Sequence, residues 1–347
     1  FKYYLTQNSD SYIIFSPVKY FKTCLLVNKK FENGFLFNRE HFHATASAVS
    51  CILWSNIPDN YAELTLDAYD IEKNILTKVG THTIKKAFNP YSKNLYDKRS
   101  FPEDIENGIC CNLDGTERTT SVSIRVKKIY NPNIIAYIRA SSFNFDALSR
   151  QLLRCGEYDA NGFFVRTDNY KDKLPLWVAK NIPLETWHEK DIYATTSDGG
   201  DAYTKDKDFL KSCLIYTCLS NQNKCLTFDG SDGRHYQNEL CFDQDTIASN
   251  DLSGMSLDAD EQALIKLWNN ILTEARATGK CNPNWTYGVY QITKEINTFQ
   301  TVGTGKSKKN IYDYPQLNGD LDTLRTMLKA YYKSHITKKM FQYELLK

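Results

Sequence analysis

The sequence predicts a mixed α/β and α+β chain, and three observations carry that expectation. A strand–helix–strand–strand pattern fills the first 56 residues. Short β-rich pieces between Asn, Gly and Pro turns fill the middle, and beyond Met255 apolar residues recur at helical spacing. Three units are expected: an α/β sheet over 1–57, a β-rich region over 58–255, and a helical region over 256–347.

The elements follow in order. Residues 11–15 form an apolar strand. Ser16-Pro17 offers an N-cap and a first-turn proline for a helix to about Val27. Residues 35–37 and 48–54 give two more strands, whose unbroken apolar runs suit strands covered on both faces. From Ala62 onward, strands are expected at 63–69, 121–130, 134–140 and 162–167, with the clearest helix over 206–219. Asp258 or Asp260 caps a helix to about Ala277 with Leu264, Leu267, Trp268, Ile271 and Leu272 on one stripe, and Gly279 stops it. Asp320 is expected to cap a last helix carrying Leu321, Leu324, Leu328 and Tyr331.

Composition narrows the class. The 347 residues carry 43 Lys+Arg against 41 Asp+Glu, and 18 Phe, 23 Tyr and 5 Trp, an aromatic content that excludes a disordered chain. No run approaches 18 apolar residues, so no membrane span is expected. The N-terminus shows neither a basic leader with an apolar run nor an initiator Met, which hints at a start inside something larger. The ten Cys include no Cys-x-x-Cys pair and sit mostly in apolar runs, as small hydrophobes. Reduced thiols and a cytoplasmic location are expected.

Charge is segregated. Residues 118–139 hold five basic and no acidic side chains, 301–347 hold nine basic and four acidic, and 229–261 hold nine acidic and one basic. A surface with a polyanion-facing side has this character, although ordinary solvated faces do too.

The sharper motifs mostly fall away. Gly303-Thr304-Gly305-Lys306-Ser307 has Gln300 where a phosphate-binding loop needs glycine, and reads as a basic surface loop. Asn89-Pro90-Tyr91 lacks a second proline and a leading apolar strand. His41 and His43 have no evident carboxylate partner, so no metal site is expected. No Glu-x-Lys tripeptide and no Gly-x-Ser-x-Gly elbow occurs. Asn38-Arg39 stands out, because an amide and a guanidinium between two apolar runs need partners.

Several stretches carry a resemblance. They are Ser16-Pro17-Val18-Lys19-Tyr20-Phe21-Lys22, then Gly34-Phe35-Leu36-Phe37-Asn38-Arg39-Glu40-His41-Phe42-His43-Ala44-Thr45, then Ala48-Val49-Ser50-Cys51-Ile52-Leu53-Trp54-Ser55-Asn56. Later come Ile84-Lys85-Lys86-Ala87-Phe88, residues 223–240 with their Asp229-Gly230-Ser231-Asp232-Gly233-Arg234 turn, Trp285-Thr286-Tyr287-Gly288-Val289-Tyr290-Gln291-Ile292, and the terminal Tyr343-Glu344-Leu345-Leu346-Lys347. Together they resemble the part downstream of the catalytic loop in bacterial adenine-specific DNA methyltransferases of restriction–modification systems. The resemblance implies the C-terminal strands of a Rossmann-like methyltransferase sheet, a β-rich target-recognition region and a helical C-terminal tail. The family's Gly-rich S-adenosylmethionine loop and Asn-Pro-Pro-Tyr loop do not occur in this sequence. The chain is therefore expected to carry no catalytic residue and to bind no cofactor alone, S-adenosylmethionine belonging to the parent enzyme's N-terminal catalytic half.

Its expected partner is double-stranded DNA, from which the target base is pulled into a pocket. Phe42 or Phe37 would stack on that base, and Arg39 or His41 would touch phosphate or a base edge, although Phe35 and Phe37 also suit a plain core. Lys19 would contact backbone, Asn38 would share the pocket wall, and Arg125, Lys127 and Arg139 would face a groove. Arg118, Arg150, Arg154 and Arg166 are further candidates, and the acidic segment would face away or dock on the basic tail. The alternatives are a stand-alone nucleic-acid-binding specificity module without catalysis, and an unrelated small-molecule enzyme.

Overall fold

The computed structural model describes residues 8–18, 29–43, 46–88, 106, 108–109, 128–139, 151–153, 156–157, 162–189 and 192–347. Within them the chain is mixed α/β: a five-stranded mixed sheet, several two- and three-stranded pieces, and a helical body. No described helix is long and apolar enough to cross a membrane.

The sheet comprises β1 (Ser11–Pro17), β2 (Lys29–Asn38), β3 (Ala48–Pro58), β4 (Glu63–Glu72) and β5 (Ile75–Lys85), in the order β1-β3-β2-β4-β5. Three neighbouring pairs are antiparallel, and β2 with β4 is parallel. Alternation decides which face is dry. Tyr12, Ile14, Leu36, Ile52, Trp54, Leu66 and Ala68 point to one side and form a core with Ile192. Gly34 lies where a Cβ would sit 2.9 Å from the Cys51 carbonyl oxygen, so only glycine lets β2 approach β3 there.

Three expectations change here. The strands are not covered on both faces, because Ile13, Phe15 and Phe35 alternate outward into solvent. Ser16 and Pro17 continue β1, opposite Ser50 and Val49, rather than capping a helix; a proline suits an edge strand's end. Residues 19–28, the rest of that expected helix, lie outside the described residues. The sheet also runs past residue 57, since β4 and β5 extend it to Lys85.

Next come β6 (Lys128–Ile129), β7 (Ile134–Arg139), β8 (Gln151–Leu153), β9 (Gly156–Glu157) and β10 (Gly162–Arg166). Strand β7 lies between β10 and β8, and β6 pairs with β9. The inward side chains Ile135, Phe163 and Val165 join the helical core rather than a separate β domain.

That core is built on α1 (Tyr170–Ala179), α2 (Lys207–Leu219), α3 (Ile247–Leu252), α4 (Ala259–Ala277), α5 (Pro315–Tyr331) and α6 (Thr337–Gln342). It draws on residues from Ile135 to Leu346, so the helical packing ignores the boundary expected at 255. Asp206 caps α2 through Phe209 N–H at 3.0 Å, and the same carboxylate receives Lys339 Nζ at 2.8 Å and Tyr343 Oη at 2.7 Å. Asp258 and Glu261 form a reciprocal capping box on α4, and Gly279 ends it at φ +71°. Leu264, Trp268, Ile271 and Leu272 are buried as the periodicity requires. Helix α5 begins at Pro315, not at Asp320, because proline at the first position presets φ and lacks the orphan N–H; Asp320 lies a turn further in, bonded by Gln316 Nε2 at 3.1 Å.

Two hairpins decorate this body. β11 (Phe228–Asp229) and β12 (His235–Tyr236) flank the Asp229–Arg234 turn, and Gln291 straps this segment inward by bonding both the N–H and C=O of Thr227 at 3.0 and 2.9 Å. β13 (Phe299–Val302) and β14 (Lys309–Tyr312) form an exposed ribbon whose tip is the expected basic loop. The last residues return as a bridge, with Ala194 N–H donating to the Lys347 carbonyl at 2.7 Å. Cys213, Cys218 and Cys241 are buried thiols; burial raises all three, Cys241 to about 12, so they act as hydrophobes.

Candidate nucleic-acid interface

The outward face of the sheet ends in a single 3₁₀ turn, Arg39–Phe42, directly after β2. Asn38 closes β2 and caps the turn, its Oδ1 accepting the Glu40 N–H at 3.1 Å. His43 ends the turn in the left-handed region at φ 58°, a conformation few non-glycine residues adopt.

Asp70 on β4 holds the turn in place. His41 Nε2 lies 2.7 Å from Asp70 Oδ1, and Asn38 Nδ2 donates to Asp70 Oδ2 at 3.4 Å. Burial alone would raise the Asp70 carboxyl. Hydrogen bonds from His41, the Ile71 N–H and Asn38 outweigh it and hold the group below the ordinary carboxylate value.

With the turn fixed, its Phe42 ring lies against the sheet. Phe42 sits 5.2 Å from Phe15 and 5.4 Å from Phe37, Phe15 is 4.8 Å from Phe37, and Phe35 continues the row at 5.8 Å from Phe37. These rings are not core. Phe42 is 53% exposed, Phe15 49%, Phe35 39%, and Ile13 beside them 64%. Four contacting rings and an isoleucine on one open sheet face form a patch of a kind that marks binding surfaces.

Arg39 opens the same turn. Its Nε is buried without a hydrogen-bond partner, and no carboxylate pairs with its guanidinium among the described residues. Two carboxylates at this turn have other partners: Asp70 meets His41 at 2.7 Å, and Glu40 receives Asn38 Nδ2 at 3.5 Å. Exposed aromatic rings with a cation on the same turn can stack an unpaired base and bind the adjoining phosphate.

The structure therefore brings together five of the residues singled out in the sequence: Phe37, Asn38, Arg39, His41 and Phe42. Asn38 and His41 act as fasteners through Asp70. Phe35 and Phe37, which also suited a core, face outward. Sequence reasoning missed Asp70, Phe15 and Ile13. Asp70 is 29 residues from His41 and carries no local signal. In the strand over 11–15 every residue after Ser11 is apolar, so alternation could not choose its outward face.

Lys19, Arg125 and Lys127 lie outside the described residues, as do Arg118, Arg150, Arg154 and Asn89-Pro90-Tyr91. Arg139 ends β7, where its backbone pairs with Gly162 and Gln151; its side chain lies outside the description. Arg166 forms a surface pair with Asp168 at 3.3 Å. Much of the basic tail is neutralised internally: Lys329 and Lys333 meet Glu185, and Lys347 meets Asp198 at 2.8 Å. The acidic segment meets it through Asp258 with His335 at 2.9 Å and Glu261 with Tyr331 Oη at 3.0 Å, and its other carboxylates pair with Lys171, Lys211, Arg234, His235 and Arg276. No group of three or more potential metal ligands occurs among the described residues.

Comparison with known proteins returns no matching family model, no matching curated protein and no matching solved structure.

Proposed function

We propose that this chain is the DNA-binding, target-recognition part of a site-specific adenine methyltransferase, and that the open sheet face receives a nucleotide drawn out of the duplex. The observation that carries the reading is the row Phe15–Phe37–Phe42 on the outward sheet face, with Arg39 in the same turn as Phe42. Stacking on such rings is tolerant of base identity, so this face grips while other residues read sequence.

Methyl transfer is assigned to a separate catalytic half that supplies both the S-adenosylmethionine loop and the Asn-Pro-Pro-Tyr loop. In this proposal the five strands close a Rossmann-like methyltransferase sheet. Among the described residues, β1 stands at one rim of the sheet with β3 as its neighbour, and the proposal places the further strands beyond it. The stand-alone specificity module is the alternative within the same chemistry.

The test is a titration of the purified chain with a random-sequence duplex, intact and carrying one unpaired adenine, at two salt concentrations. Expected is salt-weakened binding to both, with preference for the unpaired base and loss of that preference in Phe42→Ala. Absent or salt-insensitive binding overturns the reading.

A further inference from the structure

Every residue of β13, and every residue of β14 except Tyr312, is exposed, so this ribbon stands off the helical body. It is held at both ends. At the foot, the Asp313 N–H donates to the Thr298 carbonyl at 3.0 Å, the Thr298 hydroxyl bonds the Asp313 carboxylate, and Lys280 Nζ donates to Thr298 Oγ1 at 2.7 Å. At the tip, Gly303 and Gly305 take φ +85° and +58°, and Ser307 bonds the Thr304 carbonyl through its N–H at 3.1 Å and its hydroxyl at 2.7 Å. The ribbon is a preformed finger.

Its two faces differ. The register sets Phe299 opposite Tyr312 and Thr301 opposite Asn310, then Gln300 opposite Ile311 and Val302 opposite Lys309. Alternation puts the first two pairs on one face and the last two on the other. Phe299 and Tyr312 line a cavity together with Leu321 and Leu324 of α5, so their face turns back toward the body. The opposite face presents Gln300, Val302, Lys309 and Ile311 to solvent, with Val302 42% and Ile311 58% exposed.

Charge selects the kind of partner. Residues 299–312 include Lys306, Lys308 and Lys309 and no Asp or Glu. Lys308 and Lys309 are exposed, and neither meets a carboxylate among the described residues. Asp313, the first acidic residue beyond, is engaged at the foot by Thr298 and Lys280. A polyanion complements such a tip. Shape then favours one polyanion. The major groove of B-DNA, about 12 Å wide and about 8.5 Å deep, admits a two-stranded ribbon. Strands of four residues reach about 13 Å at about 3.3 Å per residue, enough to fill that depth. The deep, narrow major groove of duplex RNA does not admit side chains in this way.

We infer that the β13–β14 ribbon enters the major groove of duplex DNA at A·T pairs: Gln300 meets N6 and N7 of adenine, Val302 and Ile311 pack on thymine methyl groups, and Lys308 and Lys309 bind flanking phosphates. This goes beyond the sheet-face reading and shares with it only the duplex as partner.

Fluorescence anisotropy of the intact chain on three fully paired alternating duplexes, A·T, A·U and I·C, tests it. The A·U duplex lacks only the thymine methyls, and the I·C duplex keeps the minor-groove pattern of A·T while changing the major groove. The A·T duplex is expected to bind about tenfold more tightly than I·C and several-fold more tightly than A·U. Val302→Ser with Ile311→Ser should bring A·T down to the A·U level. Lys308→Gln with Lys309→Gln should weaken all three and lower the slope of log affinity against log salt by about two contacts. Equal affinity for A·T and I·C overturns the proposal. So does an unchanged salt slope in the lysine variant, whose fold is checked by circular dichroism, or tighter binding to duplex RNA or anionic lipid vesicles than to any of the DNA duplexes. None of these duplexes carries an unpaired base, so the sheet face does not enter the comparison. Absence of all duplex binding sinks both readings, whereas binding without an A·T preference sinks this one alone.

Discussion

His41 Nε2 stands 2.7 Å from Asp70 Oδ1, joining the turn after β2 to strand β4 across 29 residues of sequence. This contact decides where Phe42 and Arg39 lie. Without it the 3₁₀ turn keeps the Asn38 cap, the longer Asn38–Asp70 bond at 3.4 Å and the Arg39 N–H bond to the Ser47 carbonyl at 2.9 Å.

Asp70→Asn should therefore weaken binding to single-stranded or unpaired DNA without unfolding the sheet, whose core lies on the other face. Fluorescence anisotropy with a labelled oligonucleotide checks this, and a several-fold loss is expected. The same carboxylate sets a pH dependence. Its folded value is depressed, so its contribution to stability is present above the ordinary carboxylate value and is lost as pH falls below about 4. Urea midpoints of wild type and Asp70→Asn should converge on the acid side.

Phe42→Ala and Arg39→Gln act on binding through different terms. Removing the exposed ring should cost about 1–3 kcal/mol of single-strand affinity while moving the melting temperature little. Removing the guanidinium should lower the slope of log affinity against log salt by about one contact. Equal affinities and slopes for all three proteins would refute the assignment of this face.

A second pair of imidazoles makes a separate prediction. His82 Nε2 lies 2.6 Å from His188 Nδ1 on the covered side of the sheet, with Gly80 giving the space: a Cβ there would stand 3.3 Å from His188 Cε1. Burial lowers both rings, and the facing His188 lowers His82 further. The folded protein thus binds fewer protons here than the unfolded chain. This contribution is whole above about 6.5 and falls as pH drops through the window below it. In chemical denaturation His82→Gln should flatten that loss; an unchanged pH profile would contradict the pairing.

Glu261 is 1% exposed and meets Lys211 Nζ at 2.9 Å, Tyr331 Oη at 3.0 Å and the Asp258 N–H at 3.0 Å. Glu261→Ala leaves a lysine and a phenol facing a void and should cost about 3–5 kcal/mol. Urea unfolding with a midpoint close to wild type would show the network to be weaker than its geometry.

Legibility in the sequence followed the range of the interactions. Helices α2 and α4 were readable because their caps, stripes and stops are all local: Asp206 before an apolar run, Asp258 three residues before Glu261, Gly279 after the last turn. Helix α1 was hidden by Pro175 in its interior. The start of α5 was misplaced because Asp320 is a common cap residue and Pro315 a commoner first-turn residue. In the site, Asn38, Arg39, His41 and Phe42 were legible as polar and aromatic residues interrupting an apolar run. Their arrangement was not, because Asp70, Phe15 and the outward direction of Phe35 depend on strand order and register.

Photo-crosslinking tests the central claim most directly. A duplex carrying an unpaired 5-iodouracil is irradiated with the protein and the attached peptide is mapped by mass spectrometry. Attachment at Phe15, Phe35, Phe37 or Phe42, abolished by Phe42→Ala or shifted along that row, is the expected result. Crosslinks confined to residues outside the sheet, or none under conditions where the duplex is bound, would contradict it.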